Sequence, residues 1–375
     1  MTTFVKASCH CGLNAFNIPF STTYLPIPND LCHCNTCRHC TGQLTVAYVR
    51  FSGAPLSLTT NQPDELKHLI PYKTSGAMRY FCGQCSAHIL WQHTAKPERG
   101  WCIAVGTLEN VEEFVRAAFH IWIADTLDGG ITRYLKGING IELSRYAQGE
   151  EDQETLPVDW GANSKEQSRP NQDHLSAHCH CNSIRLSITR PSALSVLPSS
   201  PYADLLLPYN TTEPSKVQNP DNEKWWLRPV GSKNPTHYLA GHCACTSCRL
   251  TSGSEIQSWA FIPRANILVH SAFSNSSPIE LNLQDENLRP KGLKRYISSP
   301  GRNREFCETC GATVFWWGAE RPDLVDLSVG LLSSSQGVLA EDWLEWHKDR
   351  VSFAEEAKSK SLVEALEHGL RNSRD

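Results

Sequence analysis

The sequence lacks any long hydrophobic run and has almost no excess of charge of one sign. No apolar stretch approaches the roughly 20 residues that a membrane-spanning helix needs, so we expect no membrane association. The 35 Lys and Arg residues are nearly balanced by 39 Asp and Glu, which gives a formal net charge of -4. Such a balance provides no general attraction to nucleic acid, and we expect no nucleic-acid partner.

The beginning of the sequence also lacks the features of a secretion signal. Residues 1–6 lead directly into cysteines, without the apolar segment that signal peptides carry. We therefore expect a cytoplasmic location, with the nucleus as the alternative. Both compartments are reducing, and structural disulfides are rare in them.

Cysteine is the residue that the chain has in excess, with 16 copies in 375 residues. Fourteen of them form a pattern that occurs twice, namely C-x-C, then C-x-C-x-x-C, then C-x-x-C. The first copy comprises Cys9, Cys11, Cys32, Cys34, Cys37, Cys82 and Cys85. The second copy comprises Cys179, Cys181, Cys243, Cys245, Cys248, Cys307 and Cys310. Cysteines spaced this closely suit two ligands of one ion, so the repeat favours metal sites over disulfides.

Arginines repeat together with the cysteines. Arg38 and Arg249 each follow the last cysteine of the C-x-C-x-x-C motif, and Arg79 and Arg304 each stand three residues before the C-x-x-C pair. A repeat on this scale predicts two domains, which also suits a chain too long for one ordinary core.

The repeat and the composition between its copies predict the domain boundaries. We predict a first zinc domain at 1–146, a linker at 147–173, a second zinc domain at 174–353 and a helical tail at 354–375. The step from the first to the second motif is 21 residues in the first copy and 62 in the second. The second domain therefore carries an insertion at about 197–234, with Trp225 and Trp226 as an aromatic anchor. Loops of this length are usually functional or disordered.

Short strands dominate the predicted secondary structure. β-Branched and aromatic residues bounded by turn residues predict strands at 44–51, 87–92, 102–105, 183–189, 256–262 and 313–317. Only 354–371 has apolar residues at helical spacing. The sequence therefore predicts a mainly β protein with a C-terminal helix.

Seven cysteines in each copy divide naturally into four and three. A closed structural zinc site takes four ligands in a tetrahedron, whereas a catalytic site leaves one position open. The C-x-C and C-x-x-C pairs can form the closed site, and the C-x-C-x-x-C triplet can hold a second ion. On spacing alone the converse assignment is also possible, and one zinc ion per copy with three cysteines left over is a further, less favoured alternative.

The pattern resembles that of the glutathione-dependent formaldehyde-activating (GFA) and centromere protein V family. The resemblance is carried by ASCHCG at 7–12, CHCNTCR at 32–38, FCGQC at 81–85 and CETCG at 307–311, and it covers both halves of the chain. It implies two tandem β-tent domains with a structural and a catalytic zinc ion in each, hence four ions per chain. It also implies carbon–sulfur lyase chemistry, in which a thiol such as glutathione, the co-substrate, is reversibly joined to a small carbonyl compound.

The resemblance further implies a role for each cysteine. The structural ligands fall on Cys9, Cys11, Cys82 and Cys85, and on Cys179, Cys181, Cys307 and Cys310. The catalytic ligands fall on Cys32, Cys34 and Cys37, and on Cys243, Cys245 and Cys248. The family's glycine after the last ligand is present as Gly311, but Ser86 replaces it in the first copy.

Two arginines and two cysteines are further candidates. Arg38 and Arg249 are predicted to contact the thiol substrate, because arginine offers planar, bidentate donors to a carboxylate; a surface salt bridge is the alternative. Cys40 lies close to the first triplet, but the second copy has Thr251 there, which favours a free thiol over a ligand. Cys102 lies in an apolar stretch and is predicted to be a buried strand residue.

Three histidines have competing interpretations. His33 lies inside the first triplet, but its counterpart is Ala244, so a spacer is favoured over a ligand. His120 and His347 follow the last cysteine of their copies by 35 and 37 residues. Each is either an acid/base of the site or a core histidine, and we favour the core.

These observations predict a zinc-dependent enzyme that acts on thiol adducts of a carbonyl compound, with small molecules as its substrates. The alternative is a non-catalytic zinc module that binds protein or chromatin. That alternative predicts a basic face, which the net charge of -4 does not favour. Zinc storage or redox sensing through labile thiolates is a third possibility.

Overall fold

The computed structural model describes residues 1–94, 96–149, 155–161, 173–203, 205–208, 212–271 and 277–373. Within these ranges the chain is mainly β, as predicted, with short strands in six sheets and five α-helices. All six predicted strands occur, with ends displaced by at most four residues. None of the helices in these ranges is long and apolar enough to cross a membrane.

The first half, which we define as residues 1–149, has 13 strands in four sheets among its described residues. They are β1 Thr2–Ser8, β2 Ala15–Ser21, β3 Ile27–Cys32, β4 Tyr48–Arg50, β5 Leu56–Ser57, β6 Leu69–Lys73, β7 Ala77–Cys82, β8 His88–His93, β9 Trp101–Ala104, β10 Val115–Ile121, β11 Gly137–Ile138, β12 Ile141–Glu142 and β13 Ser144–Arg145. The sheet orders are β1-β2-β5, β13-β10-β3, β11-β12 and β4-β9-β8-β7-β6. In β1, Val5 and Ala7 are buried while Phe4 and Lys6 are exposed, which is the two-residue period of a sheet with one covered face.

The second half, residues 174–373, repeats this organisation in two larger sheets. Its strands are β14 His174–His178, β15 Arg185–Thr189, β16 Leu227–Arg228, β17 His237–Cys243, β18 Gln257–Pro263, β19 Ile267–His270, β20 Ile279–Glu280, β21 Leu293–Ser299, β22 Arg302–Cys307, β23 Thr313–Gly318, β24 Leu324–Ser328, β25 Leu332–Ser333 and β26 Leu344–Trp346. The orders are β20-β19-β15-β14-β25 and β16-β17-β18-β24-β23-β22-β21, with β26 parallel to β17.

The five helices are short except at the C-terminal end. They are α1 Asn35–Thr41, α2 Val111–Phe114, α3 Pro214–Val217, α4 Thr246–Ser252 and α5 Lys360–Asn372. The predicted C-terminal helix exists but begins six residues later than predicted, after a separate 3-10 turn at Ala354–Glu356. The extended backbone of Ala357 separates the two.

The two halves hold each other through reciprocal hydrogen bonds. Gly330 N donates to Gly42 O at the end of α1, and Gly106 N donates to Gly253 O at the end of α4, both at 3.1 Å. The apolar core is shared as well, because the largest buried cluster joins residues of both halves. A contact made in both directions by matching residues is the arrangement found between the subunits of a twofold dimer.

Gly42 and Gly253 are required at these contacts. Their φ angles are +80° and +79°, a conformation that favours glycine. A Cβ atom would lie 2.3 Å from Thr313 O at Gly42 and 2.0 Å from His88 O at Gly253. Each helix end therefore touches the backbone of the opposite half so closely that no side chain fits.

The predicted insertion at 197–234 contributes Leu205, Trp225 and Trp226 to the apolar core. Trp225 and Trp226 are 1% and 0% exposed, so the predicted aromatic anchor is buried. The predicted domain boundaries remain predictions, and 150–154 and 162–172 of the predicted linker lie outside the described residues.

Candidate metal centres

The first four-cysteine cluster comprises Cys9, Cys11, Cys82 and Cys85. Cys9 and Cys11 lie in the turn between β1 and β2, Cys82 ends β7, and Cys85 lies in the turn before β8. The four Sγ atoms all lie within 4.8 Å of one another, and Cys11 Sγ is 3.5 Å from both Cys9 Sγ and Cys82 Sγ. Two turns that are distant in sequence therefore converge on one point.

The second four-cysteine cluster comprises Cys179, Cys181, Cys307 and Cys310. It has the same construction, with a pair between β14 and β15 and a pair between β22 and β23. Cys181 Sγ is 3.4 Å from both Cys179 Sγ and Cys307 Sγ, and all four sulfur atoms lie within 4.8 Å of one another.

Ser86 adopts the backbone conformation of the glycine that it replaces. Its φ is +66°, against +77° at Gly311. A left-handed conformation costs a residue with a side chain about 1 kcal/mol, and Ser86 Oγ donates to Thr251 O of the second half at 3.0 Å. The turn geometry is therefore kept in both copies.

The two three-cysteine clusters are built on a strand end and a helix start. Cys32 ends β3, Cys34 caps α1 and Cys37 lies in its first turn; Cys34 Sγ accepts a hydrogen bond from Cys37 N at 3.3 Å. Cys243, Cys245 and Cys248 repeat this at β17 and α4, with the same 3.3 Å bond from Cys248 N to Cys245 Sγ. In each cluster the three sulfur atoms lie within 4.8 Å of one another.

All four clusters fit zinc. Thiolates are the ligands that zinc takes in structural sites, and a tetrahedral site with zinc–sulfur bonds of about 2.3 Å separates its sulfur atoms by about 3.8 Å. The closest pairs, at 3.4–3.6 Å, are near that separation. Within the described part of the chain, no further His, Cys, Asp or Glu joins the two clusters of three. Those two clusters therefore leave a fourth position free of protein ligands.

An arginine contacts the last cysteine of each triplet. Arg79 Nη2 donates to Cys37 Sγ at 3.2 Å, and Arg304 Nη2 donates to Cys248 Sγ at 3.5 Å. Hydrogen bonds from the other two cysteines of the triplet, together with this arginine, lower the pKa of both thiols well below the usual value. Sequence reasoning did not assign these arginines to the site, although their repeated position three residues before the C-x-x-C pair was the available signal.

Comparison with known families agrees with this geometry. The family model described as glutathione-dependent formaldehyde-activating enzyme (GFA) matches residues 4–125 and 231–349. The chain belongs to the GFA family. The second matched region begins after Cys179 and Cys181, so the structure, and not the family match, joins this pair to Cys307 and Cys310. No curated protein and no solved structure gives a significant match.

Arg38 and Arg249 lie between the two GFA halves. Arg38 Nη1 donates to Gly330 O at 3.1 Å, and Arg249 Nη1 donates to Gly106 O at 2.5 Å. Both side chains are buried, at 3% and 4% exposure. These donors therefore support the contact between the halves, and the predicted contact of Arg38 and Arg249 with a thiol substrate stays a prediction.

His33 and His120 of the first GFA half form a buried pair. His33 Nε2 is 2.9 Å from His120 Nδ1, and His120 Nε2 donates to Leu135 O at 2.9 Å. Burial lowers the pKa of His120 to about 3, so the pair is neutral. This is the core role that we favoured for His120.

His347 is not the counterpart of His120. His33 and Ala244 each follow the first cysteine of their triplet. His33 N donates to Ile121 O, and Ala244 N donates to Ser352 O, so Ser352 matches Ile121. Val351 therefore occupies the position of His120. The similar numbers of residues between the last cysteine and each histidine suggested that His120 and His347 match. The intervening loops differ in length between the halves, so this count does not identify matching positions.

Cys40 and Cys102 stand apart from the four clusters. Burial raises the pKa of Cys40 to about 12 and that of Cys102 to about 11. Both are therefore protonated thiols, in agreement with the free thiol and the buried strand residue that the sequence favoured.

A cavity of about 360 Å³ opens beside the second three-cysteine cluster. Its walls include the aromatic side chains of Trp259, Phe261, Trp316 and Phe353. Tyr202 and Leu205 of the insertion complete it. The long loop that distinguishes the second GFA half therefore forms part of the wall of its candidate active site.

Proposed function

We propose that the chain is a zinc-dependent enzyme of the carbon–sulfur lyase type that joins glutathione to a carbonyl compound or cleaves the adduct. The observation that carries the proposal is the three-cysteine cluster with an arginine on its last sulfur, which leaves a coordination position free. A closed four-cysteine module would have no use for such a position.

Each half would hold two zinc ions, four in the chain. The four-cysteine clusters would hold structural ions, and Cys32, Cys34 and Cys37, with Cys243, Cys245 and Cys248, would hold the catalytic ones. When bound at an open site, zinc favours the thiolate form of a thiol near neutral pH and orients it.

Side chains of the second site balance the charge of the sulfur cluster and exclude water. Arg304 places a positive charge beside Cys248 and also donates to Ser247 Oγ at 3.1 Å, so it offsets the negative charge of the sulfur cluster. Trp259 and Phe353 pack on the cysteines and exclude water from the space where an adduct would form. In the addition, the thiolate sulfur bonds to the carbonyl carbon, the π electron pair moves to the oxygen, and the oxygen takes up a proton.

The test combines metal analysis with turnover. Wild type should contain four zinc ions per chain and form a glutathione adduct of an aldehyde. The Cys34→Ser/Cys245→Ser variant removes one ligand from each open site, and we expect two ions and loss of turnover. Cys102→Ala, a cysteine outside the clusters, should keep four ions and full turnover.

Two zinc ions in the wild type, with no thiol-dependent activity, would overturn the enzyme proposal. That result would favour the non-catalytic zinc module.

A further inference from the structure

We infer that the second site takes the thiol adduct of a bulky, apolar carbonyl compound such as an aromatic aldehyde, whereas the first takes a smaller one. This inference rests on the proposed function and concerns the part of the adduct that comes from the carbonyl compound. It is carried by the differences between matching positions of the two halves.

The strand pairing identifies the matching positions. Tyr48 of β4 pairs with Ala104 directly before Val105, and Trp259 of β18 pairs with Ser328 directly before Val329. Trp259 thus replaces Tyr48. Two residues further along the same strands, a buried Phe261 replaces an exposed Arg50.

The residues that pack against the cysteines differ between the two triplets. Trp259, Trp316 and Phe353 lie against the cysteines of the second triplet. The residues packed against the first triplet are Val46, Tyr48 and Ile121. The strand register places Trp91 and Trp122 of the first half at the positions of Trp316 and Phe353. Both halves therefore carry aromatic residues at these two positions, and the halves differ in Trp259 for Tyr48 and Phe261 for Arg50.

The insertion is fixed at the cavity by specific contacts. Leu205 lies where a side chain at Gly241 would be, since a Cβ there would come within 2.2 Å of it. Arg350 Nη1 donates to Leu205 O at 3.0 Å and to Leu207 O at 2.6 Å. Trp225 packs on Phe261 with ring centroids 4.9 Å apart. The wall is therefore part of the folded second half.

Two charged residues of the cavity wall, Arg302 and Asp326, are held in ion pairs. Arg302 donates to Tyr202 Oη at 3.0 Å and forms an ion pair with Glu320. Arg321 pairs with Asp326 at 2.9 Å and lies over the Trp316 ring. The lining also includes five aromatic side chains beside serines, Arg304 and the three cysteines. A volume of about 360 Å³ is in the range of sites for small organic ligands, roughly 300–1,000 Å³.

The experiment assigns each aldehyde to a site in the full-length, zinc-loaded protein. Cys34→Ser leaves only the second site intact, and Cys245→Ser leaves only the first. With glutathione and benzaldehyde, we expect kcat/KM for adduct formation to fall at least tenfold further in Cys245→Ser than in Cys34→Ser, and to stay within twofold of wild type in the control Cys102→Ala. With formaldehyde, Cys245→Ser should keep most of the activity.

A binding measurement tests the cavity without turnover. S-benzylglutathione should bind Cys34→Ser at least about tenfold more tightly than S-methylglutathione does, because burying the ring removes apolar surface from water. Trp259→Tyr, which installs the residue of the first half, should reduce this preference to about threefold or less, with zinc content as the folding control.

Different results would contradict the further inference and the proposed function. If formaldehyde adducts form but Cys245→Ser leaves the benzaldehyde rate unchanged, or if S-benzylglutathione binds no more tightly, the inference is wrong and the proposed function stands. If no aldehyde reacts in the zinc-loaded wild type, the proposed function is wrong, and a tight S-benzylglutathione complex would still assign an apolar ligand to the cavity.

Discussion

His33 and His120 are joined by a 2.9 Å hydrogen bond inside the first half, and the second half has Ala244 and Val351 at the same two positions. Both residues change together between the copies. A buried histidine that loses its partner keeps an unsatisfied polar atom, at a cost of about 1–3 kcal/mol, so a change at one position favours a change at the other.

This pair predicts non-additive stability. His120→Val alone should destabilise the zinc-loaded protein by about 2 kcal/mol or more, because His33 Nε2 loses its partner. The double variant His33→Ala/His120→Val should lose less than the sum of the two single variants, by about 1 kcal/mol or more. Urea unfolding of all four proteins measures the coupling, and strict additivity would contradict it.

Arg79 and Arg304 should matter for turnover in their own sites. Loss of a charged hydrogen bond costs about 2 kcal/mol, or roughly thirtyfold in kcat/KM. We expect such a loss for Arg304→Gln at the second site and Arg79→Gln at the first, with zinc retained. Arg116→Gln changes an exposed arginine and should leave kcat/KM unchanged. An equal loss of kcat/KM in Arg116→Gln would contradict a specific role for Arg79 and Arg304.

Glu255 should make stability depend on pH. Burial raises its pKa to about 7 from a usual value of 4.5. In the unfolded chain Glu255 is already ionised above pH 6, whereas in the folded protein it loses its proton near pH 7. The folded state therefore binds more protons, and its stability falls as the pH rises.

Comparison with Glu255→Gln isolates this effect. Between pH 6 and pH 8, wild type should lose about 1 kcal/mol of unfolding free energy relative to the variant, which cannot titrate there. Guanidinium unfolding at pH 6, 7 and 8 measures the difference. A difference that stays constant, or that grows in favour of wild type, is the contrary outcome.

Gly42 and Gly253 should resist substitution. Gly253→Ala places a Cβ 2.0 Å from His88 O, so the halves must separate locally, and we expect a loss of about 3 kcal/mol or more in addition to conformational strain. Gly53→Ala is the matched control, since Gly53 has a φ of +76° with open space around it. That control should lose only about 1 kcal/mol, and equal losses would show that the close approach is unimportant.

Zinc should leave the protein in two phases. Ions held by three cysteines exchange more readily than ions enclosed by four. With a chromogenic chelator we expect two ions per chain to be released quickly and two slowly, and Cys34→Ser/Cys245→Ser should show only the slow phase. Release of all four ions in one phase would contradict the division into open and closed sites.

The cysteine spacing predicted close neighbours within each motif, because a strand end and a tight turn fix them. The resemblance to the GFA family, and not the spacing, supplied which motifs share a cluster, and the structure groups the sulfur atoms in that way. Arg38 and Arg249 had the same repeat signal as Arg79 and Arg304, but the sequence could not tell them apart: one pair faces the triplets and the other faces the opposite half. Contacts between the halves depend on how the sheets meet, and no local pattern records that. Counting along the chain matched His120 with His347, whereas the strand register matches it with Val351.

Because matching contacts run in both directions through Gly42 and Gly253, the two halves of this polypeptide are arranged like the two subunits of a homodimer. In a homodimer every substitution appears on both faces of the interface, so an insertion beside one active site must be tolerated beside the other. In this chain the partner faces are encoded separately, and association does not depend on protein concentration. One half can therefore carry a loop in the wall beside its triplet that the other half lacks, and a single molecule can offer two differently shaped sites at a fixed ratio of one to one.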